Sequence, residues 1–146
     1  LDLAQMHERA GNTPAAVDAY RRALEREPGS AGLMNNLAYL LSGDPAGRDE
    51  ALALAERAYA RAPGSPSIAD TLGWILYQKG ELDRAERLLA QAAQAAPGAG
   101  AIRYHLGMVY AKQGKTAEAR REIEEALKAP AFAEAEEARK ALDALK

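Results

Sequence analysis

The stretch DTLGWILYQKGELDRAERLLAQAAQAAPG, residues 70–98, decides the fold, because it contains two helix patterns separated by a single glycine. Apolar side chains recur at helical spacing up to Gly80, and a second such pattern ends at Pro97. Just before the stretch, Ser65 is suited to an N-cap, with Pro66 at the first helical position. The stretch therefore predicts a helix–turn–helix hairpin.

A glycine inside the first of these helices needs a structural reason. Gly73 costs the helix about 1 kcal/mol relative to alanine, and it stands next to Trp74, the only tryptophan of the chain. A small residue lets two helix axes approach to about 8–10 Å, whereas a larger side chain would separate them. We therefore predict that Gly73 marks the crossing of the two helices and that Trp74 points away from it.

The same pattern recurs along the chain with a period of 34 or 35 residues. In the first helices a small residue follows a leucine, at Leu3-Ala4, Leu37-Ala38, Leu72-Gly73 and Leu106-Gly107. Two alanine series recur in the second helices, namely Ala16, Ala51, Ala85, Ala119 and Ala23, Ala58, Ala92, Ala126. A proline follows at Pro28, Pro63 and Pro97, and at Pro130 one place early. Several series that share one period indicate an internal repeat.

The period divides residues 1–130 into about four repeats, approximately 1–29, 30–64, 65–98 and 99–130. We interpret the first as truncated at its N-terminus, because Leu1 falls within a first helix. The second holds one additional residue in SGDPAGRDE, so we expect its inter-helix loop to bulge.

The last segment, residues 131–146, reads as one more helix. Its apolar residues recur on one face, and its charged residues cover the other. Repeat arrays need a terminal element with a polar outer side, so we predict a C-terminal capping helix. An amphipathic helix that binds a partner is the alternative.

The segment LGWILYQKGELDRAERLLAQAAQAAP, with its small residue, its second-helix alanine and its closing proline, resembles the tetratricopeptide repeat. The resemblance covers residues 1 to about 130, although Ala69 and Arg103 stand where the family usually has a large aromatic residue. It implies an all-α fold, an α–α superhelix or right-handed solenoid. We expect the core to contain Leu72, Leu76, Ala85, Leu89 and Ala92, and likewise Leu106, Tyr110, Ala119, Ile123 and Ala126.

The resemblance also implies a concave groove lined by the first helices, and helical spacing predicts which side chains face it. Trp74 would lie on this wall, flanked by Tyr39, Tyr77 and Tyr104, and aromatic side chains are common anchors of protein interfaces. The predicted partner-binding residues are Gln5, Arg9, Asn35, Tyr39, Asp70, Trp74, Tyr77, Gln78, Tyr104, Met108 and Lys112. Packing of Trp74 between neighbouring first helices is the alternative.

The sequence offers no recognisable catalytic, metal or cofactor site. It has no cysteine, no glycine-rich phosphate loop and no Ser–His–Asp set. Of the two histidines, we interpret His7 as a packed or frayed terminal residue and His105 as a surface or groove residue. We therefore predict a protein that is not an enzyme and needs no cofactor.

The composition of the chain limits the classes of partner that it could bind. The 146 residues are 48% hydrophobic and carry a net charge of −2, which argues against nucleic acid as a partner. No apolar run approaches the ~20 residues of a membrane span, so we expect no direct membrane insertion of this part. The positions that clamp chaperone C-termini in some relatives hold Leu1, Gln5, Asn36, Ser67 and Thr71, and only Asn36 suits that role.

We thus expect a non-catalytic scaffold that binds a protein or peptide segment in its groove. Self-association as a homo-oligomer or spacer, and a regulatory domain of a larger enzyme such as a glycosyltransferase, are the alternatives. The phrases NNLAYLLSG and APGSPSIADTLGW also resemble bacterial lipoproteins of exopolysaccharide and exosortase-type systems. That resemblance implies a periplasmic or outer-membrane-associated assembly; without it we would expect the cytoplasm.

Overall fold

The computed structural model describes residues 2–145, and in this range it contains nine α-helices and no β-strand. The helices are α1 (Leu3–Arg9), α2 (Thr13–Arg26), α3 (Ala31–Ser42), α4 (Arg48–Arg61), α5 (Pro66–Gln78), α6 (Leu82–Ala95), α7 (Gly100–Lys112), α8 (Thr116–Leu127) and α9 (Ala135–Ala144). No helix within these residues is both long and apolar enough to cross a membrane.

The N-terminal compact unit ends at Pro63 and contains α1 to α4. Consecutive helices pack against each other, and α3 and α4 form the tightest pair. A 3₁₀ turn at Pro45–Gly47 joins them, where the second repeat has its additional residue. Tyr20 and Met34 are the largest fully buried side chains of this unit.

The C-terminal compact unit begins at Gly64 and contains α5 to α9. The helices α5 and α6 form one hairpin, α7 and α8 form the next, and α9 packs on α8 and α7. Nine of the ten predicted core residues are buried. Tyr110 is the exception: it is half-buried, with Lys115 Nζ 5.6 Å from its ring centroid.

Local sequence signals explain where the first helices begin and end. Gly11, Gly80 and Gly114 follow α1, α5 and α7 with φ angles of +76°, +85° and +81°, a left-handed conformation that glycine adopts without a steric penalty. Ser65 Oγ accepts a hydrogen bond from the backbone N–H of Ile68 at 3.3 Å, and Pro66 opens α5. The predicted N-cap and turn glycine are confirmed.

The predicted helix crossings are also confirmed. A Cβ atom added at Gly73 would lie 2.7 Å from Leu89 Cγ, and one at Gly107 would lie 2.6 Å from Ile123 Cγ1. Both distances are too short for real carbon contacts, so a larger residue at either position would force the facing side chain to shift. The propensity penalty is thus offset by closer packing of α5 on α6 and of α7 on α8.

The last helix is shorter than the sequence indicated. It begins at Ala135, and Phe132 lies before it, where a Cβ on Gly100 would approach Phe132 Cδ1 to 2.6 Å. Phe132 therefore fills a notch that Gly100 leaves open at the start of α7. The prediction for Lys146 lies outside the described residues.

Candidate functional site

The chain's only tryptophan belongs to a cluster of four rings, which we call the Trp74 stack: Trp74, Tyr77, Tyr104 and His105. The indole of Trp74 is nearly parallel to Tyr77, with centroids 4.8 Å apart, and to His105, with centroids 4.1 Å apart. Tyr104 is tilted by 44° at 6.0 Å. One helical turn of α5 brings Trp74 and Tyr77 together, and α7 supplies the other two rings.

The His105 ring bridges two carboxylates, an arrangement that we call the His105 bridge. The side chain is only 1% exposed, with Nδ1 2.6 Å from Asp70 Oδ1 and Nε2 2.8 Å from Glu134 Oε2. Burial by itself would lower the pKa of His105, but the two carboxylates outweigh burial and raise the pKa to about 9. At neutral pH the ring is therefore an imidazolium that donates both hydrogen bonds.

The expectation that His105 lies at the surface or in a groove is wrong. The first helices α5 and α7 are neighbours in the fold. His105 lies 35 residues after Asp70, so the histidine on α7 meets the carboxylate on α5. The 35-residue separation could have revealed this pair. Nothing in the repeat indicated Glu134, which lies outside the periodic part.

The structure brings together most of the binding residues predicted in the C-terminal unit. Trp74, Tyr77, Gln78 and Met108 are half-buried and Lys112 is exposed. Trp74 and Met108 pack against the same buried cluster, which includes Tyr104. Tyr104 is only 6% exposed and Asp70 is engaged by His105, so these two support the surface more than they contribute area to it.

The residues predicted in the N-terminal unit form a more polar surface. Gln5 and Arg9 line a cavity of about 280 Å³, together with Glu8, Tyr20 and Asn36. The hydroxyl of Tyr20 donates a hydrogen bond to Glu8 Oε2 at 2.7 Å. Tyr39 is 39% exposed, whereas Asn35 is only 8% exposed, so Asn35 offers little area for a partner.

Hydrogen bonds occupy both nitrogens of the His105 ring, and the Trp74 stack is mainly aromatic. Both ring nitrogens of His105 are taken up by carboxylates, so this histidine has no free lone pair to accept a proton from a substrate. Residues 2–145 contain no group of three histidine, cysteine, aspartate or glutamate side chains arranged to hold a metal ion. What the Trp74 stack presents is aromatic and apolar surface with polar groups beside it.

Successive helical hairpins, two of them with a glycine at the helix crossing, define an all-α tandem-repeat protein. Two models of the tetratricopeptide repeat match the chain, one over residues 71–136 and one over residues 1–40. Together they span more than half of its length. The chain belongs to the tetratricopeptide repeat family, whose members are typically non-catalytic.

Known proteins agree with this assignment. The TPR repeat-containing protein PA4667 of Pseudomonas aeruginosa is 37% identical over 90 residues, which are 62% of this chain but only 14% of that protein. TTC0263, a thermophilic TPR protein of Thermus thermophilus, aligns with a TM-score of 0.77 over 98% of this chain and 77% of its own, at 22% identity. MamA from Desulfovibrio magneticus RS-1 aligns at 0.70 over 86% and 71%, at 16% identity. The structural likeness confirms the predicted fold class.

Proposed function

We propose that this chain is a non-catalytic scaffold that binds a protein segment on the first-helix surface of its C-terminal unit. The observation that carries the proposal is the position of Trp74. The only tryptophan is half-buried between Tyr77 and His105, and is neither sealed in the core nor isolated at the surface. A rigidly held aromatic side chain with an accessible edge is typical of an interface anchor.

The neighbours of Trp74 suit a protein partner. Tyr77 and Met108 add half-buried apolar area, and Gln78 and Lys112 place polar groups beside it. Interfaces combine an aromatic and methionine-containing centre with a polar rim in the same way. Gln5, Arg9 and Tyr39 of the N-terminal unit are proposed as further contact residues. We also propose that the chain is divided into four repeats and a capping segment, as the sequence predicted.

A site-specific crosslinking experiment tests the proposal. The photoreactive residue p-benzoylphenylalanine is placed at Met108 of the full-length protein, which is expressed and irradiated in its own cells. The matched control carries the same residue at Gln91, which is exposed on the second helix α6. We expect a discrete protein adduct from position 108 and none from position 91.

A substitution then links the adduct to the aromatic surface. Tyr77→Ala removes one ring beside Trp74 without touching the His105 bridge, so it should weaken the position-108 adduct at least several-fold while helicity stays unchanged. Adducts that form equally at positions 91 and 108, or that survive Tyr77→Ala at full yield, would contradict binding at this surface.

Self-association is a second candidate, in which a second copy packs on two large apolar side chains of α1. Leu3 and Met6 are 59% and 56% exposed, whereas their repeat equivalents Leu106 and Val109 are 3% and 0% exposed. A second copy that packs on α1 would cover them. Sedimentation equilibrium of the full-length protein and of its Leu3→Gln, Met6→Gln double variant distinguishes the candidates. A dimer that the variant dissociates supports self-association, and a monomer in both cases removes it.

The biological setting stays at the level of a prediction. The relative from Pseudomonas aeruginosa is bacterial, which fits a bacterial multiprotein assembly. The finer likeness to exopolysaccharide and exosortase-type lipoproteins, the periplasmic or outer-membrane location and the regulatory-domain alternative all depend on the full-length protein.

A further inference from the structure

We propose that His105 is a positioning residue for this binding surface: held between Asp70 and Glu134, its ring fixes the orientation of Trp74 and ties the segment that leads into α9 to α5 and α7. The biological meaning of this inference rests on the proposed function. Its physical content concerns only the C-terminal unit and is tested without a partner.

Three elements meet at the His105 ring. The ring belongs to α7, Asp70 to α5, and Glu134 to the segment immediately before α9. The two hydrogen bonds leave from different ring nitrogens, at 2.6 and 2.8 Å, so the ring is held at two edges and cannot rotate without breaking one of them. A ring held in this way presents a fixed flat face to its neighbours.

That face carries Trp74. The indole and imidazole centroids are 4.1 Å apart, with 23° between the planes. An imidazolium against an indole face adds a cation–π attraction to the packing. The charged ring of His105 thus fixes the orientation of Trp74, because the indole would lose this stacking contact in any other orientation.

The groups that act on the His105 ring come from every element packed around it. Asp70 on α5 and Glu134 before α9 contact it directly. Tyr104 is adjacent on α7. Burial first, and then Glu134, Glu137 of α9 and Tyr77 of α5, raise the pKa of its hydroxyl to about 12. Both contacting groups are carboxylates, so the ring loses its charge only under alkaline conditions. At neutral pH both hydrogen bonds of the His105 bridge are in place.

The same bridge restrains the C-terminal segment. Glu134 follows closely on Phe132, which occupies the notch over Gly100. One apolar contact and one charged contact therefore dock the residues before α9 onto α7. Without the bridge this segment would keep the Phe132 contact and the packing of α9 but lose its charged contact, so we expect it to become more mobile.

The sole tryptophan makes the test direct, because a protonated imidazole in contact with an indole quenches its fluorescence. Emission of the chain is recorded from pH 5 to pH 10. We expect emission to rise with a midpoint near pH 9, as the His105 proton leaves. Ionisation of Tyr77 would lower emission instead, so the sign separates the two events.

Four variants test whether the fluorescence change near pH 9 comes from His105. Glu134→Gln keeps a hydrogen-bond acceptor but removes one charge, so the midpoint should fall by about one pH unit or more. Glu137→Gln makes the same change on a carboxylate that does not contact the ring, and should leave the midpoint in place. His105→Gln should abolish the step, and His7→Gln should preserve it.

Hydrogen exchange supplies the second readout. In Glu134→Gln at pH 9, amides of residues 131–140 should exchange at least several-fold faster than in Glu137→Gln. A step that follows His7, a midpoint unchanged by Glu134→Gln, or equal exchange in the two variants would overturn the positioning role. Such a result would leave the crosslinking test of the binding surface unaffected, and failure of that test would leave the His105 bridge in place.

Discussion

At the scale of single residues, His105 shows how two neighbours reverse the effect of burial. A histidine that is 1% exposed would ordinarily be neutral, because burial disfavours the charged form. Asp70 and Glu134 favour that form by charge and by hydrogen bonding, and they prevail. The ring is enclosed between the two carboxyl groups, whose side chains are 15% and 20% exposed, so the solvent-facing part of the bridge is its acidic part.

The stability of the folded chain should therefore depend on this group between about pH 6.5 and pH 9. The pKa of His105 is raised in the folded state to about 9 from 6.5, so its contribution is fully present below pH 6.5 and is lost as the pH rises through the folded value. The difference corresponds to about 3 kcal/mol as an order of magnitude.

Urea unfolding at pH 6 and at pH 9.5 measures this loss. The chain should lose more stability over this interval than His105→Gln, and the difference between the two losses isolates the histidine from lysines and tyrosines that also titrate. Equal losses in the two proteins would show that the bridge does not stabilise the fold.

Tyr20 permits a second prediction at this scale. The side chain is fully buried and its hydroxyl donates to Glu8; burial first, and then Glu8, raise the pKa of this phenol. Tyr20→Phe removes the hydrogen bond but keeps the ring, so it should cost about 1 kcal/mol of unfolding free energy. Thermal unfolding measures this loss, and Tyr59→Phe, at a half-buried tyrosine, is the control. An equal loss of stability in the two variants would contradict a specific Tyr20–Glu8 hydrogen bond.

At the scale of helices, two glycines that look alike in the sequence have different structural roles. Gly73 and Gly32 both lie inside helices, α5 and α3. A Cβ at Gly73 would collide with Leu89, whereas one at Gly32 would meet nothing within 4 Å. The first glycine therefore serves the helix crossing, and the second serves no packing contact.

Alanine substitutions should accordingly have opposite signs. Gly73→Ala should lower the unfolding free energy by about 1–2 kcal/mol, since overpacking outweighs the gain in helix propensity. Gly32→Ala should raise it by up to about 1 kcal/mol. Chemical denaturation of both variants measures this, and stabilisation by Gly73→Ala would show that the crossing can relax around a methyl group.

At the scale of the whole chain, the C-terminal segment closes the apolar face of the last hairpin. Tyr104, Ile123 and Ala126 form a buried cluster with Ala138 of α9, and Phe132, Leu142 and Leu145 pack around it. The outer side of α9 carries exposed charges, including Glu136 and Lys140. The segment is therefore apolar towards the hairpin and charged towards solvent, the pattern expected of a capping element.

Deletion of residues 131–146 should uncover this cluster. We expect a lower Tm and increased binding of the apolar dye ANS, because Tyr104 and Ile123 become accessible to solvent. The control is Glu136→Ala with Lys140→Ala, which changes the charge of α9 but not its apolar face. A deletion that leaves Tm and dye binding unchanged would show that α9 does not cap the hairpin.

Much of the candidate site could be predicted because it follows the repeat. Trp74 and Tyr77 are adjacent on one helix face by helical spacing alone, and Met108 follows from the period. The burial of Tyr104 and His105 could not be predicted in the same way. These side chains are covered by Trp74 and by residues before α9, and Glu134 belongs to a segment that does not repeat.

The amino-acid sequence by itself determined the hairpins, their turns and their glycine crossings, because each of these depends on residues less than one repeat apart. The tertiary structure alone decided that His105 is a buried imidazolium, that Phe132 occupies a notch over Gly100, and that Trp74 rests on a charged ring. Each of these needs side chains from separate helices or segments to meet at one point, and helical periodicity within a single hairpin carries no information about such meetings.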